Sequence, residues 1–407
     1  MCVKHNTRQK IIDEAFCLCD EEKNSMFSLS KIAARVGISK TAIFRHFKNK
    51  DSLLAEMENV MLDKIAAPFR EKDYFFSAEP YRKCTFEEFR EIIDEVCKFF
   101  LENRGYLDFF FLIKNSSQAT GLFLLDAFSA RGVKFSESYK TARSPLRFFR
   151  AYFCVQGIVF FIMRYRCLKD AGEKVPSEKE FTDKVTKLLW NGIRNGKIQL
   201  EEKRKKELDE ICEISRDFEN EDSRFFKVFA EVFAENGIEG ITVEKITEKL
   251  NLSKSSLYAF FNNKEDFIMK MLSQEIICAM KMINENTKKA KSLDEIVYVI
   301  LRTEKNYLEK RPFVIMIHYW SSQKGFKFER KSIEEHSQVT EQLFEVFKKE
   351  IEKEIGINSR VLVGWASSVI GSLRIYFDEN RFEQITADLD YVNELFNLIE
   401  GGIGITI

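Results

Sequence analysis

Two stretches of this chain gather side chains that can grip phosphate and read base edges. In the first, Ser28, Ser39 and Asn49 each stand just before a short run with helical apolar spacing. Such residues cap helices, whose free N–H groups and positive dipole ends attract anions. Lys40 and Lys50 sit at two of these starts, where a cation opposes its own helix dipole and needs another partner, such as a phosphate. Thr41, Ala42, Arg45 and His46 follow on one outward face. Arg45 has the fork geometry for a guanine edge, and Thr41 can meet a thymine methyl or a phosphate. The second stretch holds Thr242, Ser253, Lys254, Ser255, Ser256 and Lys264 in the same order of types.

The elements that must position these groups are legible around them. Ile11, Ile12, Ala15, Phe16 and Cys19 recur with helical spacing and predict a first helix. Ser28 caps a second, with Leu29, Ile32, Ala33 and Val36 inward, and Gly37 ends it. Ser39 is expected to cap a third helix from Lys40 to Phe47, with Ile43, Phe44 and Phe47 facing the core. Asn49 caps a fourth, with Leu53, Leu54, Met57 and Met61 on its buried side. Helix, short turn with glycine, helix is the helix-turn-helix layout, whose second helix enters the major groove.

The same unit occurs twice. SLSKIAARVGISKTAIFRHFKNKDSLL at 28–54 aligns without a gap with TVEKITEKLNLSKSSLYAFFNNKEDFI at 242–268, a shift of 214 positions. That shift also pairs Gly157 with Gly371, each in an apolar helical stretch, and small neighbours such as Ala366, Ser367 and Ser368 suggest close helix approach there. Arg104-Gly-Tyr-Leu and Arg311-Pro-Phe-Val look equivalent at a shift of 207. A period this long is no solenoid; it implies that a whole protein was duplicated. The copies are not electrostatic twins. Residues 1–50 carry a net charge of +5, and 215–264 a net charge of −2. The second reading helix offers Ser255, Ser256, Ala259 and Phe260 outward, with neither arginine nor histidine.

Composition narrows the class. Glycine and proline number only 17 and 5 in 407 residues, which argues for long helices and short joints, an all-α chain. The 64 basic and 64 acidic side chains cancel, so attraction to nucleic acid must come from a local patch. Nine cysteines show no C-x-x-C pair and four histidines lie far apart, so neither a disulfide framework nor a metal site is expected. Cys17 and Cys19 are expected to be buried on the first helix. The N-terminus lacks the apolar core of an export signal, and Ala151 to Met163 is too short to span a bilayer, so a cytoplasmic protein without membrane contact is expected. No glycine-rich phosphate loop, nucleophile elbow or H-E-x-x-H appears, so neither an enzyme nor a cofactor is expected. The phenylalanine clusters at 99–111 and 148–161 read as core. The charged run 197–222 reads as a helical connector.

The repeated unit resembles the DNA-binding module of the TetR family of transcriptional regulators, whose hallmark is similar to T-V-x-x-I-A-x-x-x-G-V-S-x-x-x-L-Y-x-H-F-x-x-K-E-x-L. Ile32, Ala33, Gly37, Ile38, Ser39, Ile43, Phe44, His46, Phe47, Lys50 and Asp51 match in the first copy. Thr242, Val243, Ile246, Leu252, Ser253, Leu257, Tyr258, Phe261, Lys264 and Glu265 match in the second. Phe44 stands where the family has a phosphate-touching tyrosine, which Tyr258 keeps; Asn251 replaces the turn glycine. The resemblance implies five parts: a helix-turn-helix domain at 1–64, a helical ligand-binding and dimerisation domain at 65–195, the connector at 196–221, a second helix-turn-helix domain at 222–275 and a second bundle at 276–407. Implied partners are a double-stranded DNA operator and a small-molecule inducer, with His318, Tyr319 and Trp320 as candidates to line the second pocket. Because both copies lie in one chain, the family's dimer seam can form inside one molecule as a pseudo-dimer; a homodimer with four reading heads is the rival. The implied function is that of a repressor released by its ligand. The alternative is a non-catalytic protein-interaction module in which one or both heads no longer bind DNA.

Overall fold

The structure, a computed structural model, describes residues 7–22, 28–70, 72, 84–116, 127–135, 145–195, 200–213, 223–236, 240–259, 261–311, 314, 359–376 and 390–405. Among them the regular structure is α-helical, and no helix is long and apolar enough to cross a membrane. His318, Tyr319, Trp320 and Phe260 lie outside the described residues.

The first copy begins with α1 (Thr7–Glu22), α2 (Leu29–Val36), α3 (Lys40–Ile43) and α4 (Lys50–Arg70). Ile11, Ile12, Ala15, Phe16 and Cys19 of α1 are buried together with Ile32, Ala33, Ile43, Phe47, Leu53, Met57 and Met61, which closes a small core beneath the turn. Cys17 is exposed, contrary to expectation, because Phe16 and Leu18 on either side take the inward face. Then come α5 (Phe86–Glu102), opened by a reciprocal cap between Thr85 and Glu88, α6 (Arg104–Ser116), α7 (Pro145–Asp170) and α8 (Glu178–Asn191). Phe100, Phe109, Phe110, Phe149, Phe153 and Phe161 are core residues of this bundle.

The charged run forms α9 (Glu202–Ile211). Rather than standing in solvent, it docks on the second copy: Leu208 and Cys212 are buried, and the Arg204 guanidinium is 2.9 Å from Glu295. The second copy comprises α10 (Ser223–Asn236), α11 (Val243–Leu250), α12 (Lys254–Tyr258), α13 (Lys264–Thr287), α14 (Leu293–Lys310), α15 (Ser359–Tyr376) and α16 (Tyr391–Ile405).

The last two described helices of each copy pack against those of the other, α7 on α15 and α8 on α16. Trp365 is fully buried, its ring centroid 5.2 Å from that of Phe153 and 5.1 Å from that of Phe161. Its indole N–H donates to Gln156 Oε1 at 2.9 Å, and Gln156 Nε2 donates to Ser368 Oγ at 2.8 Å. The Tyr152 hydroxyl donates to the Val369 carbonyl at 2.6 Å. Gly157 is crowded here, since a methyl group on it would lie 2.7 Å from Leu189 Cδ2 and push that side chain aside. Gly371 is not: a methyl group there meets open space, so the expected symmetry of the two glycines is absent.

Candidate nucleic-acid interface

In the first head, Ser28 has extended backbone and its hydroxyl accepts from the Lys31 N–H at 3.2 Å, fixing the start of α2. Gly37 ends that helix in the left-handed conformation at φ 76°, a region L side chains avoid. Ser39 then accepts from the Ala42 N–H at 3.1 Å and starts α3. The helix is shorter than its periodicity suggests. After Ile43 the chain tightens, with the His46 N–H bonding to the Ile43 carbonyl at 2.9 Å, a closure one residue shorter than the α-helical one and typical of helix ends. Asn49 caps α4, accepting from the Ser52 N–H at 2.8 Å.

These short segments present a coherent outer face. Lys40, Thr41 and Arg45 are exposed, and Ala42, His46 and Lys50 are half-buried. Among the described residues, the side chains of Lys40 and Arg45 have no hydrogen-bond or ion-pair partner, so both charges are available to a ligand. Phe44 was expected to face the core; it is 46% exposed and stands outward, because Ile43 and Phe47 already fill the inner side of this turn. Its counterpart Tyr258 is 51% exposed. Arg35, on the flank, is spent on Glu14 and Glu21 at 2.8 and 2.6 Å.

The second head repeats the caps. Thr242 accepts from the Lys245 N–H at 3.3 Å and Ser253 from the Ser256 N–H at 3.0 Å, while Asn251 occupies the left-handed turn position at φ 53° in place of glycine. Asparagine tolerates that region, so the turn survives the exchange. Asn263 caps α13 by accepting from the Asp266 N–H at 2.7 Å, and Lys264 beside it is half-buried.

The chemistry of its face differs. Lys254 Nζ lies 2.5 Å from a carboxylate oxygen of Glu244. That bond is the main reason the Glu244 carboxyl is lowered to about 2. Lys249 is held by Glu235 at 2.6 Å and Glu231 at 3.3 Å, and Lys245 donates to Asn236. The hydroxyls of Ser255 and Ser256 bond to that of Ser253 at 2.8 and 2.7 Å. Glu244 was not singled out from the sequence. Alignment of the copies could have found it, since Ser30 holds its place in the first.

The first head is wired to its bundle. Asp20 of α1 accepts from Arg104 and Arg166 at 3.2 Å, and those arginines continue to Asp170 and Asp108, both at 2.6 Å. A methyl group on Gly105 would overlap the Phe16 carbonyl, so α6 meets α1 backbone to backbone. No group of three or more His, Cys, Asp or Glu side chains that could hold a metal ion occurs among the described residues.

No curated protein matches the chain. Residues 11–57 match the family described as bacterial regulatory proteins, tetR family, and residues 228–270 match it again. Both matches fall on the paired helix-turn-helix units and their caps. The chain therefore carries, twice, a segment of the kind found at the N-terminus of the tetR family of bacterial regulatory proteins.

Proposed function

We propose that this TetR-family DNA-binding regulator is a cytoplasmic, non-enzymatic repressor that releases its operator when a small molecule occupies a helical bundle. The observation that carries the reading is the doubled helix-turn-helix with Lys40, Thr41 and Arg45 standing free on its first outer face. In this reading α3 lies in the major groove. Arg45 and Thr41 meet base edges, Ala42 and His46 border them, and Ser28, Ser39, Lys40, Phe44 and Lys50 lie along the phosphates. The second-copy residues Thr242, Ser253, Lys254, Ser255, Ser256, Tyr258 and Lys264 hold the corresponding places.

The two copies act as one pseudo-dimer. Its support is the packing of α7 and α8 on α15 and α16, a buried contact of the kind two subunits share about a twofold axis. Ligand binding shifts the population toward a state whose reading face is wrongly placed for DNA. The Asp20, Arg104 and Arg166 network gives that shift a route from bundle to first head.

Enrichment of duplexes from a random-sequence library by the intact chain tests the reading. Binding should weaken with salt at a slope of about −0.9 per phosphate neutralised. Recovery of no sequence, or affinity independent of salt, would refute it.

A further inference from the structure

We infer that Glu244 silences the second head, so that one chain reads a single half-site through its first head. The inference rests on the DNA-binding reading above and adds which head carries it. Superimposing the copies by their 214-residue shift places Lys254 on Lys40 and Glu244 on Ser30. The lysine is common to both heads; the acid belongs to the second alone.

Lys254 and Glu244 have side chains 58% and 61% exposed, so the pair faces solvent. A phosphate approaching Lys254 must also approach a fixed negative charge. An exposed ion pair of this kind is weak, and a phosphate can compete for the lysine. The carboxylate remains in place when it does, and it repels. Glu244 stays ionised at any pH at which the protein would be used, because Lys254 and the backbone hold its carboxyl at about 2.

The rest of the face agrees. Lys249 and Lys245 are engaged within the head, and Glu248, exposed, replaces Ala34. Ala259 replaces Arg45, and Phe260 replaces His46, so the groups suited to base recognition are missing where the phosphate grip is neutralised. Ser255 and Ser256 satisfy Ser253 instead of standing free. Lys264 is the remaining half-buried cation of the set.

Duplexes enriched from a random library by the intact chain provide the probe. The motif should be one contiguous block, without a second block at fixed spacing. Lys40→Ala should reduce the magnitude of the salt slope by about 0.9, while Lys254→Ala leaves it unchanged. Glu244→Ser, which copies the first head, should tighten binding about fivefold and steepen the slope by about 0.9, by freeing Lys254 for a phosphate. A two-block motif bound by a single chain, or a Lys254→Ala loss equal to that of Lys40→Ala, would overturn the inference and leave DNA binding intact. A chain that enriches nothing refutes DNA binding itself, and this inference with it.

Discussion

Gly192 and Gly402 meet backbone to backbone where α8 ends and α16 kinks, and a methyl group on either would overlap the main chain around the other. They share one conformation, φ 67° and ψ −170° against φ 68° and ψ −179°. Beside them the N–H groups of Ile193 and Arg194 donate to the carbonyls of Ile399 and Glu400, both at 2.8 Å. Two glycines, one from each copy, thus play the same part at the same crossing, as expected of a contact descended from a symmetric one.

Gly192→Ala and Gly402→Ala should each cost about 2–5 kcal/mol, combining an unfavourable φ with overlap in a packed crossing. Gly172→Ala has a similar φ of 76° but nothing within 4 Å, and should cost about 1 kcal/mol. Urea midpoints of the three variants check this. Equal losses would place the whole effect in backbone strain and none in the crossing.

Glu400 makes the stability of the same region depend on pH. It is fully buried, neither carboxyl oxygen has a hydrogen-bond partner among the described residues, and burial, with Asp294 nearby and Arg194 opposing, pushes its pKa up to about 8. The folded protein therefore holds a proton there that the unfolded chain releases above its ordinary value of 4.5. Stability falls as pH rises through the interval between those values, at up to about 1.4 kcal/mol per unit, and levels off above it. Burial likewise raises Glu275, which accepts from the Tyr307 hydroxyl at 2.6 Å, and adds a decline of the same sign. Glu400→Gln should flatten the profile between pH 5 and 8 in part; a profile parallel to that of the parent would show that Glu400 is not responsible.

Gln156 bridges the copies through both ends of its amide, and it is almost wholly buried. Gln156→Leu should cost about 1–3 kcal/mol, mainly because the Trp365 indole N–H loses its partner. Adding Trp365→Phe removes that donor as well, so the double variant should lose less than the sum of the singles by at least about 0.5 kcal/mol. Strict additivity would contradict the bridge.

If this contact replaces a dimer seam, the DNA-competent species in solution has the mass of one chain, 47.8 kDa. Light scattering of the DNA-bound fraction, corrected for the duplex, reads that mass. Twice the value would support a homodimer with four heads.

Much of this was legible beforehand for local reasons. Ser28, Ser39, Thr242 and Ser253 are caps in the sequence and in the structure, because a short polar side chain beside an apolar run has few other uses. The α1 core positions follow directly from helical spacing. Phe44 and Cys17 did not, because residue type pointed inward while the neighbours Ile43 and Phe47, or Phe16 and Leu18, had already taken the inner face. The length of α3 was also hidden: apolar spacing over eight residues cannot distinguish a full helix from one turn that tightens. Glu244 lay outside the motif positions, and its effect comes from meeting Lys254 across the turn between α11 and α12.

The most direct test of the account is the affinity of Arg45→Ala for a duplex enriched by the parent chain. The guanidinium is exposed and has no partner among the described residues, so removing it should leave the fold undisturbed. Binding should weaken by about 1–3 kcal/mol, with relaxed selectivity at one base pair of the site. Unchanged affinity and an unchanged motif would contradict the claim that this face reads DNA.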